Sequence, residues 1–274
     1  MTGIILSVTI LGACIGSFLN VVIYRLPKRQ SFIFDRSHCT SCNSNLKVFD
    51  LFPVFSWIFL KGRCRYCSTC ISKRYPFVEL CTSFLFLICL KSNGFPDDIL
   101  PEFYIAISGW LLVSYLIVLF MIDIDEMILP NSLTYSGAVV GLALIFFQCL
   151  FFYDSSYQLL LEHFLAYLIA IFGITFISFI VKLIIKKPAL GAGDAKLFAM
   201  TGAWLGLEGL EVTITLSFLL SSLIVISGLI LRLIKRGEYI PFGPYICVSI
   251  FLVWFFGPQF WFDSLGDIFW WKYL

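Results

Sequence analysis

The sequence contains few charged residues. Only 13% of its 274 residues are Asp, Glu, Lys or Arg, and 19 basic against 17 acidic side chains leave a net charge of +2. So small a positive charge gives no reason to expect nucleic acid as a partner. Hydrophobic residues make up 60% of the chain, including 30 Phe. A soluble core of this length does not need so much apolar surface, so the composition predicts a polytopic protein of the lipid bilayer.

A basic residue is also missing before the first apolar run, and the positive cluster begins only after that run. A cleavable signal peptide has the opposite order, so we expect a retained helix. The apolar runs predict an all-α polytopic protein with about eight transmembrane helices. The second and sixth runs are short, and only residues 208–211 divide the sixth from the seventh, so seven spans fit equally well. The runs are 3–24, 77–90, 103–122, 132–153, 164–181, 196–210, 212–231 and 242–262.

Lys and Arg are unevenly distributed among the loops. Because these residues concentrate on the cytoplasmic side of a membrane, their loops are expected there and the N-terminus outside. The chain then divides into a first transmembrane helix (1–24), a cytoplasmic loop domain (25–76) and a transmembrane helical core (77–274). The basic loop residues are Arg25, Lys28, Arg29, Arg36, Lys47, Lys61, Arg63, Arg65, Lys73 and Arg74, then Lys182, Lys186 and Lys187, and finally Arg232, Lys235 and Arg236.

The first loop contains two C-x-x-C pairs, separated by 21 residues: Cys39, Cys42, Cys64 and Cys67. This spacing is typical of a structural zinc site with four thiolate ligands. A disulfide competes poorly because cytoplasmic thiols stay reduced, whereas free or redox-active thiols remain an alternative. His38 and Cys70 adjoin the pairs, so either could replace the fourth ligand. A catalytic zinc usually keeps a position for water, so the predicted zinc is architectural.

Two aspartates lie at the ends of apolar runs. Asp123 follows the third run, and Asp194 stands between the fifth and sixth runs, in a GAGD sequence. A carboxylate at the mouth of a membrane helix is costly, so two at one membrane face indicate a functional site, although each could merely solvate a helix end. Two adjacent carboxyls can share a proton, so that one activates water while the other protonates an amide leaving group. That chemistry is aspartyl proteolysis. Gly191 and Gly193 would allow a substrate backbone to approach closely.

Several motifs occur together in one order: GSFLNVVIYRLP, the two C-x-x-C pairs, SWIFLKGRCRYC, ISKRYPFVEL, DIDEMILPN, GAGDAKL and PFGPY. Over nearly its whole length the chain thus resembles the type IV prepilin peptidases. The resemblance implies a G-x-G-D aspartyl protease of the bacterial inner membrane with Asp123 and Asp194 as its catalytic pair. Asp125 matches a secondary acid. Asn131, where Asp is common, and the extra Cys70 depart from the pattern.

The resemblance further implies removal of the short basic leader from prepilins and pseudopilins at the cytoplasmic face. It implies N-methylation of the new N-terminal residue from S-adenosylmethionine, although no glycine-rich loop locates that cofactor. Two other classes stay open on the residues alone: a transporter, which should show inverted repeats, and a zinc-dependent membrane assembly protein. The sequence leaves the oligomeric state undetermined. It also leaves open whether Glu79 complements a helix dipole or lines the site, and whether PFGPY is an interfacial turn or lines the substrate.

Overall fold

The structure is a computed structural model that describes residues 2–31, 36–91, 99–151, 157–186, 191–235 and 239–264. Helices form most of these residues, and the described part of the chain contains no strand, only two isolated β-bridges in the first loop. The predicted all-α membrane class is therefore confirmed. Of the basic loop residues, Lys187 and Arg236 lie outside the described residues.

Residues 1–118 form one compact unit, unit 1. It contains α1 (Thr2–Arg25), a 3-10 helix (Val48–Leu51), α2 (Phe55–Phe59), α3 (Arg74–Lys91) and most of α4 (Ile99–Glu126). Two glycines let α1 approach α3. A Cβ on Gly12 would come within 2.6 Å of the Ser83 Cα, and one on Gly16 within 2.8 Å of the Glu79 Cα. Small residues of this kind let membrane helices pack backbone against backbone.

Residues 119–274 form unit 2. After the end of α4 come α5 (Asn131–Phe151), α6 (Tyr157–Ile169), a π-helical turn (Ala170–Ile174), α7 (Thr175–Ile185), α8 (Ala192–Ile230), α9 (Gly243–Phe256) and α10 (Pro258–Ser264). α8 is central to the unit because it packs against α5, α6 and α9.

α8 consists of two limbs joined at Gly206, whose φ of 68° and ψ of −167° are not helical. A straight helix of its 39 residues would be about 58 Å long, roughly twice the thickness of the apolar bilayer core. The chain instead turns back, since the Phe242 ring contacts Phe198 on the first limb and Phe218 on the second. The predicted sixth and seventh runs are these two limbs.

The predicted number of eight spans is not confirmed. By length and composition, five helices in the described residues could cross a membrane, and a sixth if α9 and α10, bent by 97°, form one span. α3 is not among them, since its 18 residues include Arg74, Glu79 and Lys91. α8 is counted once in this number, although the non-helical Gly206 separates its two limbs.

Candidate active site

Asp123 lies in the last turn of α4, with 5% of its surface exposed. Its Oδ2 accepts a hydrogen bond of 2.9 Å from the backbone N–H of Gly243, the first residue of α9. Backbone N–H groups at a helix start favour a negative charge. A Cβ on Gly243 would come within 2.6 Å of that same Oδ2, so only glycine fits here without displacing the carboxylate.

Asp194 is the third residue of α8, at a helix start as predicted. Its Oδ2 accepts a hydrogen bond of 3.0 Å from the N–H of Gly191, the residue that precedes the helix. In return the N–H of Asp194 donates to the carbonyl of Gly191 at 3.1 Å. The first of these bonds is the carboxylate half of a capping box, and it fixes the carboxylate over the first turn of the helix.

The structure brings the two predicted aspartates together in unit 2. The carboxylates of Asp123 and Asp194 are close enough to interact electrostatically, and both act on the buried thiol of Cys247 in α9. The turn after α4 also meets the start of α8, where Lys196 Nζ donates to Asn131 Oδ1 at 2.6 Å. The arrangement therefore offers two carboxyl groups, each held by one glycine N–H. Acid–base hydrolysis of an amide requires two such groups, one as general base and one as general acid.

Close packing at the G-x-G-D segment also positions Asp194. A Cβ on Gly193 would stand 3.0 Å from the Cβ of Leu129, so the start of α8 lies against the turn before α5. Asp125, two residues after Asp123, has an exposed side chain. This difference agrees with the expectation that residues two apart on a helix do not face the same way.

Sequence reasoning did not identify the role of Gly243 or the position of Cys247. The PFGPY sequence indicated only an interfacial turn or a substrate contact. Its glycine is the residue that donates to Asp123. The sequence did contain one signal for this role, the pair Gly243 and Pro244. Proline in the first turn marks the start of a helix, and the N–H groups at a helix start bind anions such as a carboxylate.

The four cysteines lie in two loops, and each loop has the same pattern of backbone hydrogen bonds. In the first loop, Asn43 N–H donates to the carbonyl of Cys39 at 2.9 Å, and Cys39 N–H donates to the carbonyl of Ser44 at 3.0 Å. In the second loop, Ser68 and Cys64 donate the corresponding bonds, both at 2.9 Å. Asn43 and Ser68 both have positive φ, 54° and 57°. The repeated turn directs the thiols of both loops toward one point.

All four Sγ atoms, those of Cys39, Cys42, Cys64 and Cys67, lie within 4.8 Å of one another. The Sγ atoms of Cys39 and Cys67 are 3.8 Å apart. A metal bound tetrahedrally by thiolates at about 2.3 Å has ligand sulfurs roughly 3.8 Å apart. The group fits that geometry and could hold a metal ion.

His38 and Cys70 are not members of this group. His38 forms a β-bridge with Asn45, and Cys70 forms the equivalent bridge with Arg63. Each bridge closes the base of its cysteine loop. His38 corresponds to Arg63 and Cys70 to Asn45, so the two residues that left the fourth ligand uncertain both belong to the bridges beside the cysteines.

Hydrogen bonds within the loops favour the ionised form of two of the four thiols, those of Cys39 and Cys67. The N–H of Cys42, followed by that of Ser41, lowers the pKa of the Cys39 thiol to about 6. The Thr69 hydroxyl, followed by the Thr69 N–H, lowers the pKa of the Cys67 thiol. Thiolates are the form of cysteine that binds metals, so the lowered pKa values of Cys39 and Cys67 favour binding of a metal cation.

Glu79 belongs to unit 1, and its carboxylate accepts a hydrogen bond of 2.7 Å from the N–H of Val54. It also interacts with the side chain of Ser17 on α1. Only 7% of its surface is exposed. Glu79 is thus a buried, hydrogen-bonded acid within unit 1.

Comparisons with known proteins identify the relatives of the chain. The bacterial peptidase A24 N-terminal domain matches residues 10–92, and the type IV leader peptidase family matches residues 110–230. A prepilin leader peptidase/N-methyltransferase of Aeromonas salmonicida is 33% identical over 267 residues, which cover 88% of this chain and 87% of the relative. One of the same name from Neisseria gonorrhoeae is 30% identical over 276 residues, covering 92% and 90%.

A third relative of that name, from Myxococcus xanthus, is 37% identical over 196 residues. That match covers 72% of this chain and 54% of the relative. No solved structure matches the chain.

Proposed function

The chain belongs to the type IV leader peptidase family, and on that premise we propose that Asp123 and Asp194 are the carboxyl groups with which it cuts the leader from prepilins and pseudopilins. One observation carries this assignment: the two residues interact electrostatically at the ends of helices that are far apart in sequence. Each carboxylate is also fixed by a glycine N–H. A pair that merely solvated two helix ends would need neither feature.

The reaction follows from the charge of the pair. Because two adjacent carboxylates repel each other, one of them holds a proton while its partner is ionised. The ionised carboxylate takes a proton from water, whose oxygen attacks the carbonyl carbon of the scissile amide. The protonated carboxyl supplies the proton that the leaving nitrogen needs when the C–N bond breaks. The N–H groups of Gly191 and Gly243 keep the two carboxyl groups in position during these proton transfers.

The remaining parts of the proposal concern the first loop and the membrane. The cysteine group holds one structural zinc ion, because four converging thiolates leave no position for a reacting water. The enzyme also N-methylates the new N-terminal residue with S-adenosylmethionine as the methyl donor; its relatives are named N-methyltransferases. It lies in the bacterial inner membrane with its N-terminus outside and the aspartates at the cytoplasmic face. Residues 1–24, 25–76 and 77–274 serve as first helix, zinc loop domain and protease core.

The test is to replace each aspartate by its neutral isostere. Asp123→Asn and Asp194→Asn should each abolish leader removal, because the remaining carboxyl has no partner with which to share a proton. Cleavage of a co-expressed prepilin can be scored by mass spectrometry, with protein amount in the membrane measured in parallel.

Asp125→Asn is the matched control, since the same substitution falls two residues away on an exposed side chain. It should retain measurable cleavage. Full activity of either of the first two variants would end the assignment, and a dead Asp125 variant beside an active Asp123 variant would move it by two residues.

A further inference from the structure

Unit 1 contains a cavity of about 430 Å³ between the ends of α1 and α3 and the cysteine loop. Asn20 and Val21 line it from α1, Tyr75 and Glu79 from α3, and Trp57 from the loop. Its volume falls within the range of about 300–1,000 Å³ that is usual for small-molecule sites. The proposed protease chemistry makes no use of this cavity.

The charged groups on the cavity wall differ in their partners, and they include Arg25, whose guanidinium donates to the backbone carbonyls of Ser31 and Arg36. Asp50 is paired with Arg65, whose Nε lies 2.7 Å from its Oδ1. Glu79 is bound by neutral groups only, the N–H of Val54 and the side chain of Ser17. A buried carboxylate without a cation is costly, so a positively charged ligand would be favoured beside it.

Aromatic rings form another part of the wall. Tyr24, Trp57 and Tyr75 all line the cavity, and Lys28 Nζ already stands 3.5 Å from the centre of the Tyr24 ring. Ring faces attract cations and stack with flat heterocycles. The cavity thus combines an anion and aromatic surfaces, which together suit a cation attached to a purine.

The backbone at Val54 is strained where it meets Glu79. Val54 has φ 62° and ψ −52°, and the N–H of Phe55 donates to the carbonyl of Pro53 across it at 2.6 Å. This is a γ-turn of the rare kind, with a β-branched residue at its centre. The bond from the Val54 N–H to Glu79 holds the turn in place. Strain of this kind tends to persist at ligand-binding sites.

We propose that this cavity binds S-adenosylmethionine, with Glu79 offsetting the sulfonium charge and the aromatic wall receiving the adenine. The proposal rests on the proposed methyltransferase function. Transfer of the methyl group to an amine forms one N–C bond and breaks one S–C bond, so that the sulfonium becomes a neutral thioether and the nitrogen releases a proton. The cation therefore disappears in the product.

Because the two compounds differ in charge, their binding distinguishes an electrostatic role of Glu79 from a purely structural one. Binding of S-adenosylmethionine and of the uncharged S-adenosylhomocysteine is measured by calorimetry on the full-length protein in detergent. Glu79→Gln should weaken the affinity for the sulfonium compound about tenfold and change that for the thioether much less. Equal losses for both compounds, or no loss for either, would overturn the assignment of Glu79.

A second pair of variants tests the cavity itself. Val21→Trp should fill the space and weaken binding of both compounds about tenfold or more. Val48→Trp is the matched control, because Val48 is 79% exposed in the same loop and is not part of the wall. It should bind both compounds like the unsubstituted protein. Zinc content of each preparation verifies that the loop is folded.

The outcomes separate this inference from the function on which it rests. If the unsubstituted protein binds S-adenosylmethionine and methylates, but Val21→Trp binds as well as Val48→Trp, the cofactor binds elsewhere and only the cavity assignment fails. If the unsubstituted protein cleaves prepilin yet neither binds the cofactor nor methylates, the methyltransferase half of the proposed function fails as well. A raised KM for prepilin in Val21→Trp with unchanged cofactor affinity would make the cavity a substrate site and likewise overturn the inference.

Discussion

Gly243 shows how much of the candidate site depends on a residue that contributes no side chain. Its N–H holds Asp123 across 120 residues of sequence, and its Cα stands where a methyl group would meet the carboxylate. Because the same glycine both donates the bond and makes room for the acceptor, the two functions cannot be separated by substitution.

Gly243→Ala should therefore reduce leader cleavage by about a hundredfold, since a displacement of the catalytic group by roughly 1 Å can cost that much. The rate is measured on purified enzyme with a prepilin peptide. Gly173→Ala is the control, because a Cβ at Gly173 would have no atom within 4 Å. An unimpaired Gly243→Ala enzyme would show that the position of Asp123 is not critical.

The residues that could be predicted from sequence are those that break a local pattern. Asp123 and Asp194 stand at the ends of apolar runs, and the cysteines repeat at a fixed spacing, so both sets can be recognised without knowledge of the fold. Gly243 is not visible, because its contact with Asp123 depends on how distant helices meet. For the same reason the sequence could not exclude Cys70 as a metal ligand. Only the bridge from Arg63 to Cys70 shows that Cys70 belongs to the base of a loop.

At the scale of elements, the first limb of α8 depends on close contact with α6. A Cβ on Gly202 would lie 2.7 Å from the backbone C and O of Ala166, and backbone atoms cannot move aside as a flexible side chain can. One turn along, His163 Nδ1 lies 3.2 Å from the carbonyl of Ala203. This limb carries Asp194 at its start, so its packing sets the position of the carboxylate.

Gly202→Leu should separate the two helices and destabilise the protein by about 1–3 kcal/mol, the usual cost of overpacking a well-packed contact. A lower unfolding temperature in detergent is expected, together with slower cleavage. Gly173→Leu introduces the same side chain where the surroundings are open and should leave both quantities unchanged. Equal stability of the two variants would show that the α6 contact is not tight.

The paired cysteine loops form the other element with a measurable property. We expect about one zinc ion per purified chain, with sulfur only in the first shell by X-ray absorption. Replacing Cys39 or Cys64 by Ser should remove the metal and lower stability, because the loop has little core of its own. Cys70→Ser should retain the zinc, since Cys70 lies outside the group. Loss of zinc in that variant, or nitrogen in the first shell, would contradict the assignment.

The bend in α8 marks the limit of prediction at this scale. The apolar pattern divides at residues 208–211, where the acids stand, whereas the backbone departs from helix at Gly206. A Cβ there would meet Glu162 Oε1 at 2.9 Å, so contact with α6 accompanies the positive φ at the bend. The hydropathy pattern shows where charged residues stand, but it does not show contacts between helices such as that of Gly206 with Glu162. The pattern therefore left open whether the chain turns back, and it placed the division a few residues after the actual bend.

For the whole molecule, the helices of unit 2 place its functional residues at one end. α5 begins at Asn131, beside Lys196 near the start of α8, and α9 begins at Gly243, beside Asp123. The bend at Gly206 lies against Glu162 of α6 and therefore belongs to the opposite end. In the proposed topology, which places the loops rich in Lys and Arg in the cytoplasm, the aspartate end faces the cytoplasm. A prepilin leader rich in basic residues would stay on that same side.

This assignment predicts which positions a membrane-impermeant thiol reagent can reach. Glu126→Cys and Ala192→Cys, both at exposed positions near the aspartates, should react only when the reagent has access to the cytoplasm. Tyr157→Cys, at a position that is 68% exposed at the start of α6, should react from outside the intact cell. Labelling of the unsubstituted chain is measured as the background, because its own Cys14 and Cys70 are exposed. Labelling of positions 126 and 192 from outside would invert the protein in the membrane, and a cytoplasmic leader could then no longer reach the pair formed by Asp123 and Asp194.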